Sequence, residues 1–178
     1  MTHGASQKLF DHTPPAWLRK VEVAMLMNAF ADAFDVEPPT LKGMSADDAL
    51  AAYREFTAAC MEAALADDDV AAAYRARLGV AARELGRKVR FATHVRPANA
   101  FRLARFFYRG IGIELSGELL GSLRFGPCSF AQRYTPADCW FMSAFDEGFM
   151  CGIAGLEGEL CFECRLTEGA ACCCARLE

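Results

Sequence analysis

The chain is poor in histidine, with three in 178 residues, two of them within the first dozen positions. That shortage leaves little raw material for a histidine-based zinc hydrolase or a Cys–His nucleophilic pair, since both need an imidazole as ligand or base. No eighteen uncharged apolar residues run together, which excludes an ordinary membrane-spanning helix. The opening MTHGASQKLFDHTPPAWLRK has no apolar segment behind a basic one, so a secretory leader is not expected and the protein is read as soluble, cytoplasmic and without a membrane partner. A G-x-x-x-x-G-K-S/T phosphate loop, a recognisable nucleic-acid motif and internal repeats are all missing. With a formal net charge of −4 and a pI of about 5.5, no nucleic-acid partner is expected.

Cysteine, by contrast, is abundant and unevenly placed. Eight of the nine lie at or beyond Cys128. An odd count without a leader argues against a secreted disulfide scaffold, so the thiols are expected to be reduced unless a metal or a reactive pair uses them. Charge is uneven as well. Tyr74 to Gly110 holds nine Arg and one Lys against Glu84 alone, whereas from Ile111 onward acids outnumber bases ten to four.

An apolar fraction of 53% in a chain of this length supports one globular domain. Residues 1–14 read as a polar, flexible N-terminus and 15–110 as a helical region. A first helix is expected from Ala16 to about Phe34 after Pro14-Pro15, with Leu18, Val21, Val23, Ala24, Met27, Ala29 and Phe30 on its buried side. Ser45 and Asp48 open a second helix in a box-like arrangement, running toward Leu65. Asp67-Asp68-Asp69 opens a third, with Arg87-Lys88 near its end and VRFATHVRP as a connector. A fourth spans Ala98 to Tyr108.

From Ile111 the period changes. Ile111–Ser116 and Glu118–Tyr134 alternate in part, as strands with bend or edge positions at Gly121, Gly126 and Pro127, and Thr135-Pro136 opens a helix that carries Gly148, Gly152 and Gly155. GELCFECRLTEG and ACCCARL form a terminal hairpin turning at Glu168-Gly169. The expected class is therefore α+β, a helical N-terminal half followed by an antiparallel sheet packed against helices. Residues 111–178 form a cysteine-rich α+β region that makes one compact domain with the helices. The terminal pair Leu177-Glu178 is assigned no function.

Cys161-x-x-Cys164 has the spacing of a zinc knuckle, but on a strand positions three apart face opposite ways and cannot close on one ion without a bulge. Ala175 and Leu177 place Cys173 on the apolar side with Cys164 as its cross-strand neighbour. Cys139 lies in the first turn of the late helix, where backbone N–H groups and the dipole can lower a thiol pKa. Cys128, Cys139, Asp146, Cys164 and Cys173 thus form a candidate constellation. Packing is the competing explanation, because unligated cysteine behaves as a small buried hydrophobe. Asp146 also reads as an ordinary solvent-facing acid, and His94 as a connector residue. The arginines read mainly as solvated helix faces, with Arg102 and Arg109 the better candidates for holding a carboxylate bidentately.

The helix DCWFMSAFDEGFMCGI followed by the hairpin LCFECRLTEGAACCCARL resembles the ending of the 4-vinyl reductase domain and of the related L-2-amino-thiazoline-4-carboxylic acid hydrolase-like domain. Cys164 and Gly169 to Cys173 carry the match, with Ala175 where an aromatic residue often follows the last cysteine. The resemblance covers roughly residues 111 to 177 and implies a sheet packed by helices around a pocket for small molecules, with a metal as a further implication.

These readings combine into a small-molecule-binding domain with its pocket between the sheet and the late helix. If it turns over a substrate, the expected reaction is hydrolysis of a small heterocyclic or amide-like carboxylic acid. Cys139 would attack, Asp146 would move a proton, and Arg102, Arg109, Trp140 and Phe162 would hold an anionic substrate. Zinc or iron on Cys128, Cys139, Cys164 and Cys173 is the alternative activator of water. The competing class is a non-enzymatic ligand or redox sensor, or a partner-binding module, and a homodimer fits either class.

Overall fold

The computed structural model describes Phe10 and residues 12–177. Residues 1–9, Asp11 and Glu178 fall outside the described residues, and with them most of the expected N-terminal segment. Leu177, by contrast, is a buried strand residue. In chain order the elements are α1 (Ala16–Phe34), α2 (Ala46–Ala64), α3 (Asp68–Thr93), α4 (Ala100–Gly110), β1 (Ile113–Gly117), β2 (Ser122–Cys128), α5 (Pro136–Ala154), β3 (Leu160–Cys164) and β4 (Cys173–Leu177). Single 3₁₀ turns, Pro97–Asn99 and Leu166–Glu168, precede α4 and β4. The class is α+β, helices first and strands in the second half.

Local chemistry sets most of these boundaries. Ser45 accepts a hydrogen bond from the Asp48 N–H at 3.1 Å and so satisfies one orphan donor of α2. Asp67 does the same for the Asp69 and Val70 N–H groups of α3, where Asp68 and Asp69 also oppose the helix dipole. Thr135 and Asp138 close a reciprocal capping box around the start of α5, with Pro136 in its first turn.

Two expectations need correction. The third helix runs past Arg87-Lys88 to Thr93, because the segment contains neither Gly nor Pro and Val89 still faces the core; His94, at φ 51°, ends it. On α1, Val21 is 47% exposed while Glu22, its neighbour, is 1% exposed. The buried stripe follows Val23, Leu26, Met27 and Phe30, and its edge takes in Glu22 instead of Val21.

The four strands form one antiparallel sheet in the order β1-β2-β4-β3. Leu115, Leu123, Phe125, Ala175, Leu177 and Leu160 are buried on the face toward the helices, while Ser116, Arg124, Cys161, Glu163 and Arg176 are exposed on the other. This alternation is the period-2 pattern of a half-buried sheet. Helix α5 packs along α3 so closely that a Cβ on Gly148 would collide with the Gly79 carbonyl oxygen, and one on Gly152 with that of Arg83. One hydrophobic core joins α1, α2, α3, α4, α5 and the sheet, from Met27 and Tyr53 through Leu78 and Leu103 to Leu123 and Ala175. No described helix is long and apolar enough to cross a membrane.

Candidate functional site

Helix α5 has two apolar faces. Gly148 and Gly152 turn toward α3 and Phe141 meets Phe34 of α1, while Cys139, Met142, Phe145, Asp146 and Phe149 recur at three- and four-residue steps on the side toward the sheet. Between that second side and the strands lies a cavity of about 90 Å³. About 10–15 Å³ of such space is enough to hold one water, so the cavity has room for several waters or for a short organic molecule. Its walls are largely aromatic, with Tyr53 of α2, Tyr108 of α4, Phe125 of β2 and Phe162 of β3 facing Phe145 and Phe149 across it.

Among the described residues one carboxyl enters this space. Asp146 accepts a hydrogen bond from the Tyr108 hydroxyl at 2.7 Å, and the accessible remainder of its side chain opens into the cavity. Removal from water pushes its pKa up to about 7, against which the Tyr108 bond works only partly. Burial also raises Tyr108 and Tyr53 well above the ordinary phenol value, with the Asp146 charge adding to it. The Tyr134 hydroxyl meets Thr57 Oγ1 at 2.5 Å, and Thr57 donates to the Tyr53 carbonyl at 2.9 Å.

Three of the four cysteines expected together do line the cavity: Cys128, Cys139 and Cys173. Cys128 comes inward through an irregularity. Leu115 pairs with Phe125 but Ile113 with Cys128, so one extra residue in β2 brings an even-numbered side chain onto the odd-numbered face. Cys164 goes elsewhere. The β3–β4 register shifts between Phe162 and Cys164, so Cys164 pairs with Cys174 instead of Cys173, and its thiol donates to the Cys172 carbonyl at 3.3 Å. Cys172 and Cys174 lie with their sulfurs 3.5 Å apart beside it.

Burial works against activation of the three thiols on the cavity wall. Burial pushes Cys139 up to about 11 despite its place in the first turn of α5, and Cys128 up to about 12; Cys173 is raised as well. Loss of hydration outweighs the helix dipole because the sulfur faces an apolar interior. Among the described residues no three His, Cys, Asp or Glu side chains are grouped to hold a metal ion. The metal implied by the resemblance therefore does not fit the residues around this cavity.

Of the residues expected to hold substrate, Phe162 lines the cavity and the others do not. Arg109 donates to the Phe10 and His12 carbonyls at 3.4 and 3.2 Å. Neither Arg102 nor Trp140 reaches the cavity wall, and Trp140 is 41% exposed beneath the Arg75 guanidinium. The basic residue that does line the cavity is Arg165, which unbroken alternation from Phe162 would put on the opposite face. The bulge at Phe162–Cys164 reverses it. Its guanidinium stands 5.3 Å from the Phe162 ring centroid and donates to Glu168 at 3.3 Å. Asp146, read from the sequence both as a member of the constellation and as a solvent-facing acid, lines the cavity, in keeping with its place as the single acid in the stripe Cys139, Met142, Phe145, Phe149.

Compared with protein-family models, curated proteins and solved structures, the chain matches none.

Proposed function

We propose that this chain is a small-molecule-binding domain whose ligand is a compact, mainly apolar molecule seated between α5 and the sheet. The observation that carries the reading is the aromatic-walled cavity with one hydrogen-bonded carboxyl inside it, the combination of apolar lining and few polar groups typical of ligand sites. The likeness of residues 111–177 to the 4-vinyl reductase ending supports the same kind of activity, since that resemblance implies a pocket enclosed by helices and a sheet.

Binding without turnover is the better supported version. A hydrolase acting through Cys139 needs a thiolate and a base beside it, yet burial holds the thiol protonated, and Asp146 lies seven residues along the same helix, roughly 10 Å between Cα atoms. The anionic ligand expected from Arg102 and Arg109 loses its support too, because neither lines the cavity.

The test is two-dimensional amide NMR titrated with toluene, 1-butanol and benzyl alcohol, alongside a Cys128→Phe variant that fills the space. Saturable shifts at Tyr108, Phe125 and Phe149 that the filled variant loses are the expected result. Shifts scattered over the surface, or unchanged by the variant, would remove the reading.

A further inference from the structure

Among the described residues no cation forms an ion pair with the carboxyl inside the cavity. Each titratable group that acts on or is perturbed by Asp146 from the surrounding elements is a phenol or a thiol: Tyr53 on α2, Tyr108 on α4, Cys128 on β2, Cys139 on α5 and Cys173 on β4. All five are uncharged near neutral pH, since each is raised above its ordinary value. Arg165, the one cation on the cavity wall among the described residues, donates through one terminal nitrogen to Glu168 and stands over the Phe162 ring, with its buried Nε unpaired, and the causes that set the Asp146 pKa are burial and the Tyr108 bond. An ionised carboxylate in apolar surroundings is costly unless something of opposite charge reaches it.

Resting on the small-molecule reading above, the geometry points to a cationic amine as the ligand. Its ammonium group would meet the Asp146 carboxylate opposite the Tyr108 hydroxyl, and its short apolar body would lie among the aromatic rings. The free carboxylate oxygen supplies the charge-assisted hydrogen bond, and ring faces such as Phe125 and Phe149 suit a partly desolvated cation better than they suit an anion. The same carboxylate repels an acid of equal size. A net charge of −4 favours the approach of cations as well.

The proposal has a pH signature. Only the ionised form of Asp146 pairs with an ammonium, and with a pKa of about 7 that form grows from about a tenth to about nine tenths between pH 6 and pH 8. Affinity for an amine should therefore rise about tenfold over that interval, while a neutral molecule of the same shape shows no such rise.

Calorimetric titration with n-butylamine, 1-butanol and butyrate, which share a carbon skeleton and differ in head group, tests the proposal on the full-length protein. The expected order at pH 8 is amine, then alcohol, then acid, with the tenfold rise confined to the amine. Asp146→Asn should abolish the amine preference and keep alcohol binding. Tyr108→Phe keeps the carboxylate but removes the bond that lowers its pKa, so the midpoint of the amine profile should move to higher pH. An amine that binds no better than 1-butanol at pH 8, or an unchanged preference in Asp146→Asn, overturns the amine inference and leaves the binding reading intact. Failure of 1-butanol, toluene and benzyl alcohol, with the amine also silent, overturns both.

Discussion

Two carboxyls carry the sharpest residue-level consequences. Asp146 is raised to about 7 and Glu22 to about 8, in both cases first by burial; Arg19 counteracts part of the shift at Glu22. Neither Glu22 oxygen has a hydrogen-bond partner, and the carboxyl occupies the space where Gly110 lacks a Cβ. A folded pKa above the unfolded value means that the native state holds more protons between the two values. The stability linked to each group is therefore complete below about pH 4 and is lost as pH rises through about 7 for Asp146 and about 8 for Glu22. Urea unfolding at about pH 5, 6.5 and 8 should show declining stability, and Glu22→Gln and Asp146→Asn should each flatten the decline. Unaltered pH slopes in both variants would show that these groups ionise in the fold much as they do in water. The thiols give a second prediction: Cys161, exposed on the outer face of the sheet, should be alkylated well before Cys139 and Cys128, which burial keeps protonated. Mass spectrometry of tryptic peptides after brief iodoacetamide treatment reads the order directly.

At the scale of elements, the α3–α5 contact depends on missing side chains. Gly148 and Gly152 let α5 approach the Gly79 and Arg83 carbonyls, so a methyl group there forces the helices apart. Gly148→Ala and Gly152→Ala are expected to destabilise by about 1–3 kcal/mol despite the better helix propensity of Ala, a loss visible as a lower denaturation midpoint. The sequence places these two glycines four residues apart on one helix, but the partner helix follows only from packing. Element limits were legible where caps exist: Ser45, Asp67 and Thr135 each open a helix at the expected place. The end of α3 was not, because VRFAT carries no breaking residue and reads equally well as helix or connector. The terminal hairpin was legible as two strands, yet its bulge was not. A register shift depends on how β4 meets both neighbours, and alternation along one strand contains no trace of it.

For the whole molecule the decisive fact is that the helical region and the cysteine-rich region share one core, with Leu26 and Tyr53 of the first half and Phe125 and Cys173 of the second on the same cavity wall. Thermal unfolding followed by far-UV and near-UV circular dichroism should give coincident transitions, and residues 111–178 expressed alone should show no cooperative transition. Separate transitions, or a folded fragment, would divide the chain into independent units.

The sequence by itself determined the α+β class, the order of elements and the capped helix starts, because these follow from periodicity and capping, which act over a few residues. Tertiary structure alone decided that Cys164 leaves the cavity, that Arg165 enters it in place of Arg102 and Arg109, and that burial raises the thiols of Cys128, Cys139 and Cys173. Each of those outcomes turns on a strand register or on the hydration lost to distant side chains, and neither quantity is encoded in the spacing of residues along a single segment.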